Sequence, residues 1–107
     1  MIEEVNHTRQ ILKQARELIK AGWCQMKYEH HGCYCMVGAV QMATFGETGI
    51  DESEVDDIFY EASLEHLREV LSVQNLAQIC DWNDLGARTQ DEVIAAFDKA
   101  IEKVAKP

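Results

Sequence analysis

The chain has 107 residues, 47% hydrophobic and 27% charged, with 19 acidic residues against 10 Lys and Arg and a formal net charge of −9. These values fit one globular domain over residues 1–107 and argue against wholesale disorder. The charge is uneven: residues 1–46 hold five bases and four acids, whereas residues 47–107 hold five bases and fifteen acids, a surface that repels phosphate backbones and argues against direct nucleic-acid binding.

A first helix is expected over residues 3–21, with Val5, Leu12, Ala15 and Ile19 on one face, Gly22 as a left-handed cap and Trp23 folded back over Leu18. From Cys24 to Glu29 apolar and polar residues alternate, which predicts a short strand with His30, His31 and Gly32 as its turn. Cys33 to Phe45 is almost wholly apolar or small and ends at Gly46, so it reads as a central buried helix whose first residues, 33–35, are compatible with an extended start. Asp51 and Glu54 resemble a capping pair opening a helix with Val55, Ile58, Phe59 and Ala62 on its face. The apolar phase then shifts to Leu64, Leu67, Val70 and Leu71, predicting a kink or a new helix capped by Ser63. Leu76 to Trp82 supplies a short helix and Asn83 to Gly86 a loop. Thr89 and Glu92 form a capping box before Val93, Ile94, Phe97, Ile101 and Val104 on a closing helix. The fold class is mainly α: a compact helical domain of four to five helices with room for a short β-hairpin around residues 24–35.

No apolar run approaches the ~20 residues of a membrane span, and Met1 to Glu4 lack a signal-peptide pattern, so a cytoplasmic location and no membrane partner are expected. Cys24, Cys33, Cys35 and Cys80 are accordingly read as reduced thiols or ligands.

Three segments stand out: Gly22-Trp23, Cys33-Tyr34-Cys35-Met36-Val37-Gly38-Ala39, and Trp82-Asn83-Asp84 leading through Gly86-Ala87-Arg88-Thr89 to Glu92-Val93. Together they resemble an uncharacterised family, a domain of unknown function in small bacterial and phage proteins, over most of the chain. Its pattern is a tryptophan after the first helix, C-aromatic-C-x-x-G-A, and W-N-D leading into G-R-T-x-x-E-V. Ala87 departs from it by separating Gly86 from Arg88, and the His30-His31 pair lies outside it. The resemblance implies a fold and no activity.

Four constellations are candidates for function. His30, His31, Cys33 and Cys35 place two imidazoles and two thiols within six residues, all zinc-ligand types, although zinc sites usually draw ligand pairs from separated elements. A cysteine at the following helix start would also feel the positive helix end, with a histidine to hold its thiolate and Asn83 or Asp84 to orient that histidine. Trp82, Asn83, Asp84 and Arg88 could bind a ligand beside an aromatic ring; the structural reading has Asp84 accepting backbone N–H bonds and Arg88 pairing with a carboxylate. From Glu47 to Glu69 there are nine acids and one base, Arg68, with Asp57, Glu61, Glu65 and Glu69 every four residues, a stripe of ~18 Å on a continuous helix.

The leading expectation is a non-catalytic module with no cofactor that uses Glu54, Asp57, Glu61, Glu65 and Glu69 to engage a basic protein surface, such as that of a nucleic-acid-binding protein. The resemblance to phage-borne proteins adds a special case, an anti-CRISPR-like inhibitor of a host nucleic-acid-handling or defence complex. The alternative is a small zinc-binding or thiol-dependent protein centred on the His30-His31/Cys33-Cys35 cluster. A homodimer built from the apolar helices stays open.

Overall fold

The computed structural model describes residues 2–105; the side chains of residues 2–4, 52 and 105 lie outside the description, Glu52 of the acidic run among them. Among the described residues five α-helices carry the fold: α1 (Ile2–Ala21), α2 (Met36–Phe45), α3 (Ile58–Leu71), α4 (Leu76–Asn83) and α5 (Gln90–Ala105). Between α1 and α2 lies a two-stranded antiparallel hairpin, β1 (Glu29–His30) and β2 (Cys33–Tyr34), with Glu29 opposite Tyr34 and His30 opposite Cys33. A single 3₁₀ turn, Glu52–Glu54, precedes α3.

The helix α1 is the spine, packed against α5, α2 and α3. Its buried stripe is Thr8, Ile11, Leu12, Ala15 and Ile19, at helical spacing. Val5, expected on that face, is 40% exposed, because the stripe has rotated towards Thr8 and Ile11 by the first turns. Arg16 pairs with Asp98 of α5, and the Gln90 amide at the start of α5 donates to the Ile19 carbonyl at 2.7 Å, tying the last turns of α1 to the first half of α5. The Thr89 and Glu92 capping box opens α5 as expected: Thr89 N–H donates to Glu92 Oε1 at 2.9 Å and Glu92 N–H to Thr89 Oγ1 at 3.2 Å. Val93, Phe97 and Val104 are buried, with Ile94 and Ile101 packed beside them.

In α2, Met36 to Gln41 are all buried, so this is the central helix the apolar run predicts. It begins at Met36 rather than Cys33, because residues 33–34 pair in the hairpin and Cys35 is the N-cap. Gly46 ends it in the left-handed conformation, φ 77°. The hairpin turn is His31 and Gly32, at φ 51° and 81°, a two-residue loop of the kind whose twist suits a hairpin.

Four local expectations are corrected. Gly22 is not left-handed: among the described residues the positive-φ glycines are Gly32, Gly46 and Gly49. Its need for glycine is steric instead, since a Cβ there would lie 2.7 Å from Cys33 Sγ. Residues 24–28 do not form a strand; Cys24 N–H bonds Tyr34 O at 3.1 Å, but β1 begins only at Glu29. Asp51 caps only the 3₁₀ turn, through Ser53, and α3 starts at Ile58 with Asp57 as N-cap, its carboxylate accepting from Phe59 and Tyr60 N–H at 2.9 Å each. Ser63 does not open a second helix, for α3 runs unbroken and the buried Ser63 hydroxyl donates back to Phe59 O at 2.8 Å. The apparent phase shift arose from counting Val55 and Ile58 on the buried face; Val55 precedes the helix and Ile58 is 61% exposed, while Tyr60, Leu64 and Leu67 form one buried stripe.

Candidate functional site

The singled-out segments meet at one corner, where the end of α1, the irregular stretch 22–28, the hairpin, the start of α2 and the end of α4 converge. Asn83, the last residue of α4, is wholly buried and is the hub. Its Oδ1 accepts from Trp23 Nε1 at 2.9 Å and from Met36 N–H at 3.1 Å. Its Nδ2 donates to Cys24 O at 3.2 Å and to Asp84 Oδ1 at 2.9 Å. Two acceptor and two donor positions are thereby filled, the full capacity of an amide side chain. One of the bonds satisfies the first free N–H of α2, which no intrahelical partner can reach.

Neighbouring residues close the same knot. Asp84 Oδ1 also accepts from Met26 N–H at 2.8 Å, holding Met26 in the left-handed region at φ 70°. The Gln25 amide bridges Asn83 O and Leu85 O at 3.0 and 2.8 Å. The Cys35 thiol caps α2 by accepting from Gly38 N–H at 3.3 Å. Gly38 is required because Tyr28 O packs onto it: a Cβ would sit 2.0 Å from that oxygen. Arg88 donates through Nε to Trp82 O at 2.9 Å, pairs with Glu92 at 3.1 Å, and lays its guanidinium 3.6 Å from the Trp82 ring centroid. Asp84 thus accepts one backbone N–H bond, from Met26, and Arg88 pairs with a carboxylate, that of Glu92. Asn83 and Asp84 are bonded to backbone and to one another at this corner, and Arg88 to the Trp82 carbonyl and the Glu92 carboxylate.

A match to a family model covers residues 4–103, which contain every one of these segments. The chain belongs to DUF6197, a family of unknown function. No curated protein and no solved structure matches it. Within the matched residues the C-aromatic-C-x-x-G-A and W-N-D segments are brought together at the corner built on Asn83.

The histidine and cysteine cluster is pulled apart by the same knot. His30 and His31 are exposed and pack edge to face with each other at 4.1 Å, whereas Cys35 is buried under α2. Among the described residues no three His, Cys, Asp or Glu side chains converge as metal ligands would. Burial pushes the Cys35 thiol up to about 12, outweighing the bond from Gly38 N–H, so the positive end of α2 does not yield a thiolate there. Burial, then neighbouring Cys33, raises the Cys24 thiol too. Cys35 and Cys80 share a cavity of about 220 Å³ with Met26, Lys27, Tyr28 and Asp84. Asn83 and Asp84 hold Trp23, Met36, Cys24 and Met26 rather than either histidine of the turn.

The acidic run divides into two. Glu61, Glu65 and Glu69 stand exposed on successive turns of α3, and Glu54 is exposed on the 3₁₀ turn. Asp57 leaves the stripe, because its carboxylate is spent on capping α3. Glu69 has a cation, Lys103 at 3.7 Å; among the described residues Glu61 and Glu65 have no ion partner. Among the described residues no helix is long and apolar enough to cross a membrane.

Two residues of consequence give little sequence signal. Gln41, wholly buried in α2, donates to Tyr60 Oη at 3.1 Å and accepts from Gly49 N–H at 2.9 Å, fastening the loop after α2 to α3. Its only mark in the sequence is a lone amide within an apolar run. Gln25 has no mark at all.

Proposed function

We propose that this protein is a non-catalytic binding module whose acidic outer face, Glu54, Glu61, Glu65 and Glu69, docks on a basic protein surface. The observation that carries the reading is the pair Glu61 and Glu65, exposed one turn apart on α3 with no ion partner among the described residues. Like charges four residues apart on a helix cost a few tenths of a kcal/mol, of which the positive start of α3 offsets a part at Glu61, in its first turn, and less at Glu65 one turn on. A basic partner would offset the rest and would be steered to the site by the −9 net charge. The inward bonding of Asn83, Asp84 and Arg88 supports the non-catalytic half of the proposal. An inhibitor of a host nucleic-acid-handling or defence complex is one narrower member of this class, since such complexes present basic grooves.

The test is capture of basic host proteins by the immobilised full chain at ~50 mM and ~300 mM salt, where screening shortens the Debye length to well under ~10 Å. The triple change Glu61→Lys, Glu65→Lys, Glu69→Lys leaves the Asp57 cap intact. The proposal expects a salt-sensitive complex that the triple change abolishes; capture indifferent to both would sink it.

A further inference from the structure

The corner built on Asn83 leaves a small cavity at its edge, about 220 Å³, lined by Met26, Lys27, Tyr28, Cys35, Cys80 and Asp84. It is smaller than the ~300 to 1,000 Å³ of pockets that take organic ligands, and its size suits an ion. Three of the six lining side chains carry sulfur: the thiols of Cys35 and Cys80 and the thioether of Met26. They come from three separate places, the N-cap of α2, the middle of α4 and the irregular stretch between α1 and β1. Among the titratable groups that bear on the Cys35 thiol Cys80 acts most strongly, ahead of Cys24, which sets the two cavity thiols near one another.

Nothing in the packing asks for methionine at position 26. The backbone there is left-handed, φ 70°, where glycine or asparagine is the ordinary choice, and the side chain is 78% exposed, so burial gains nothing. The Asp84 carboxylate holds the residue in place through its N–H at 2.8 Å. What methionine adds is a long, flexible thioether on the rim of a cavity that already holds two thiols. The Cys35 Sγ is prepared in its own way, by accepting from Gly38 N–H at 3.3 Å at the positive start of α2, the kind of bond that orients and stabilises a metal-bound thiolate. In the metal-free protein burial keeps that thiol protonated, and a cation in the cavity takes the proton's place. The donor set selects the cation. Zinc sites use three or four protein ligands, and among the described residues no three His, Cys, Asp or Glu side chains converge, whereas thiolate and thioether sulfurs favour monovalent copper. We propose that Cys35, Cys80 and Met26 bind one Cu(I) ion, the cysteines as thiolates and the methionine as a third, weaker donor at the mouth of the cavity. Each thiol releases its proton to solvent as its S–Cu bond forms, and the copper stays monovalent throughout. Lys27, on the same cavity wall, offsets the negative charge left by two thiolates on one monovalent cation.

The experiment titrates the reduced full-length protein, without air, with Cu(I) supplied as its acetonitrile complex in competition with bicinchoninate, and counts bound copper by native mass spectrometry. One Cu(I) per chain is expected. Cys35→Ser and Cys80→Ser should each weaken binding by more than the ~10- to 100-fold that loss of an outer-shell partner costs, and Met26→Leu by about tenfold. Serine is a favoured N-cap residue, so Cys35→Ser keeps the start of α2, and circular dichroism checks that each variant is folded. If Cys35→Ser fails to fold, Cys80→Ser and Met26→Leu carry the test alone. Cys33→Ser and the double change His30→Ala, His31→Ala should leave the affinity unchanged. A protein that takes up no stoichiometric copper, or copper that survives the serine change at Cys80, would overturn the proposal. Copper lost with Cys33 or with the histidine pair would overturn it too, as would zinc held as tightly as copper. Wild-type affinity in Met26→Leu would overturn the three-sulfur site.

Discussion

Replacing Asn83 by Ala removes one side chain and breaks four hydrogen bonds at once, although Asp84 Oδ1 keeps its bond from Met26 N–H. Met36 N–H and the Trp23 indole N–H lose their acceptor, and Cys24 O and Asp84 Oδ1 lose a donor. A buried polar group left unpaired costs about 1 to 3 kcal/mol, and Met36 is fully buried while Trp23 is partly so. Counting these two donors in full and the two acceptors as partly rescued by neighbours or water gives a loss of about 3 to 5 kcal/mol, a large share of the ~5 to 15 kcal/mol that holds a domain of this size. Asn83→Asp should fare little better, because it keeps the acceptor but sets a carboxylate against Cys24 O and the Asp84 carboxylate. The assay is urea denaturation followed by the fluorescence of Trp23 and Trp82, both next to residue 83 in space or in sequence. The midpoint should fall steeply at nearly constant m, with a melting temperature lower by ~15 °C or more. A loss under ~1 kcal/mol for Asn83→Ala would refute the hub.

Two further outcomes follow from the same corner. Gly38→Ala should cost about 2 kcal/mol or more despite alanine's ~1 kcal/mol advantage in helices, since its Cβ would meet Tyr28 O at 2.0 Å. Gly86→Ala, with nothing within 4 Å of the new methyl, should be neutral or slightly stabilising, and equal melting curves for the two variants would contradict the steric argument. The Cys35 thiol, raised by burial from an ordinary 9.0 to about 12, favours the folded state fully below pH 9 and loses that contribution as pH climbs towards 12. Native Cys35 should therefore resist an aromatic disulfide reagent at pH 8 and react only on unfolding; rapid labelling of the folded protein at Cys35, mapped by mass spectrometry, would contradict this.

Much of the fold was legible in the residues. The capping box at Thr89 and Glu92, the Gly46 stop, and the apolar spacing of Leu12, Ala15 and Ile19 or of Val93 and Phe97 are signals between residues no more than about four apart. Such signals depend on the helix geometry alone and are read without knowing what packs on the helix. The start of α3 was misplaced for a related reason: Asp51 and Asp57 are both competent caps in sequence, and only the burial of Tyr60, Leu64 and Leu67 selects the second.

The corner built on Asn83 belongs to the other kind of information. Three of the four bonds of Asn83 join residues 47 to 60 positions apart, so the sequence marks Gly22, Gly38, Trp82 and Asn83 as a pattern without saying what each is for. Gly22 looks like a helix cap until Cys33 is found against its Cα, and Cys33 with Cys35 looks like a ligand pair until Cys35 is found buried as the N-cap of α2. The sequence by itself determined four to five amphipathic or buried helices, the stop at Gly46, the capping box at Thr89 and Glu92, and the acidic run, because periodicity and capping are local. Only the tertiary structure decided which polar groups face inward and which remain free, because a side chain's partner at long range is fixed by packing and not by its neighbours in the chain.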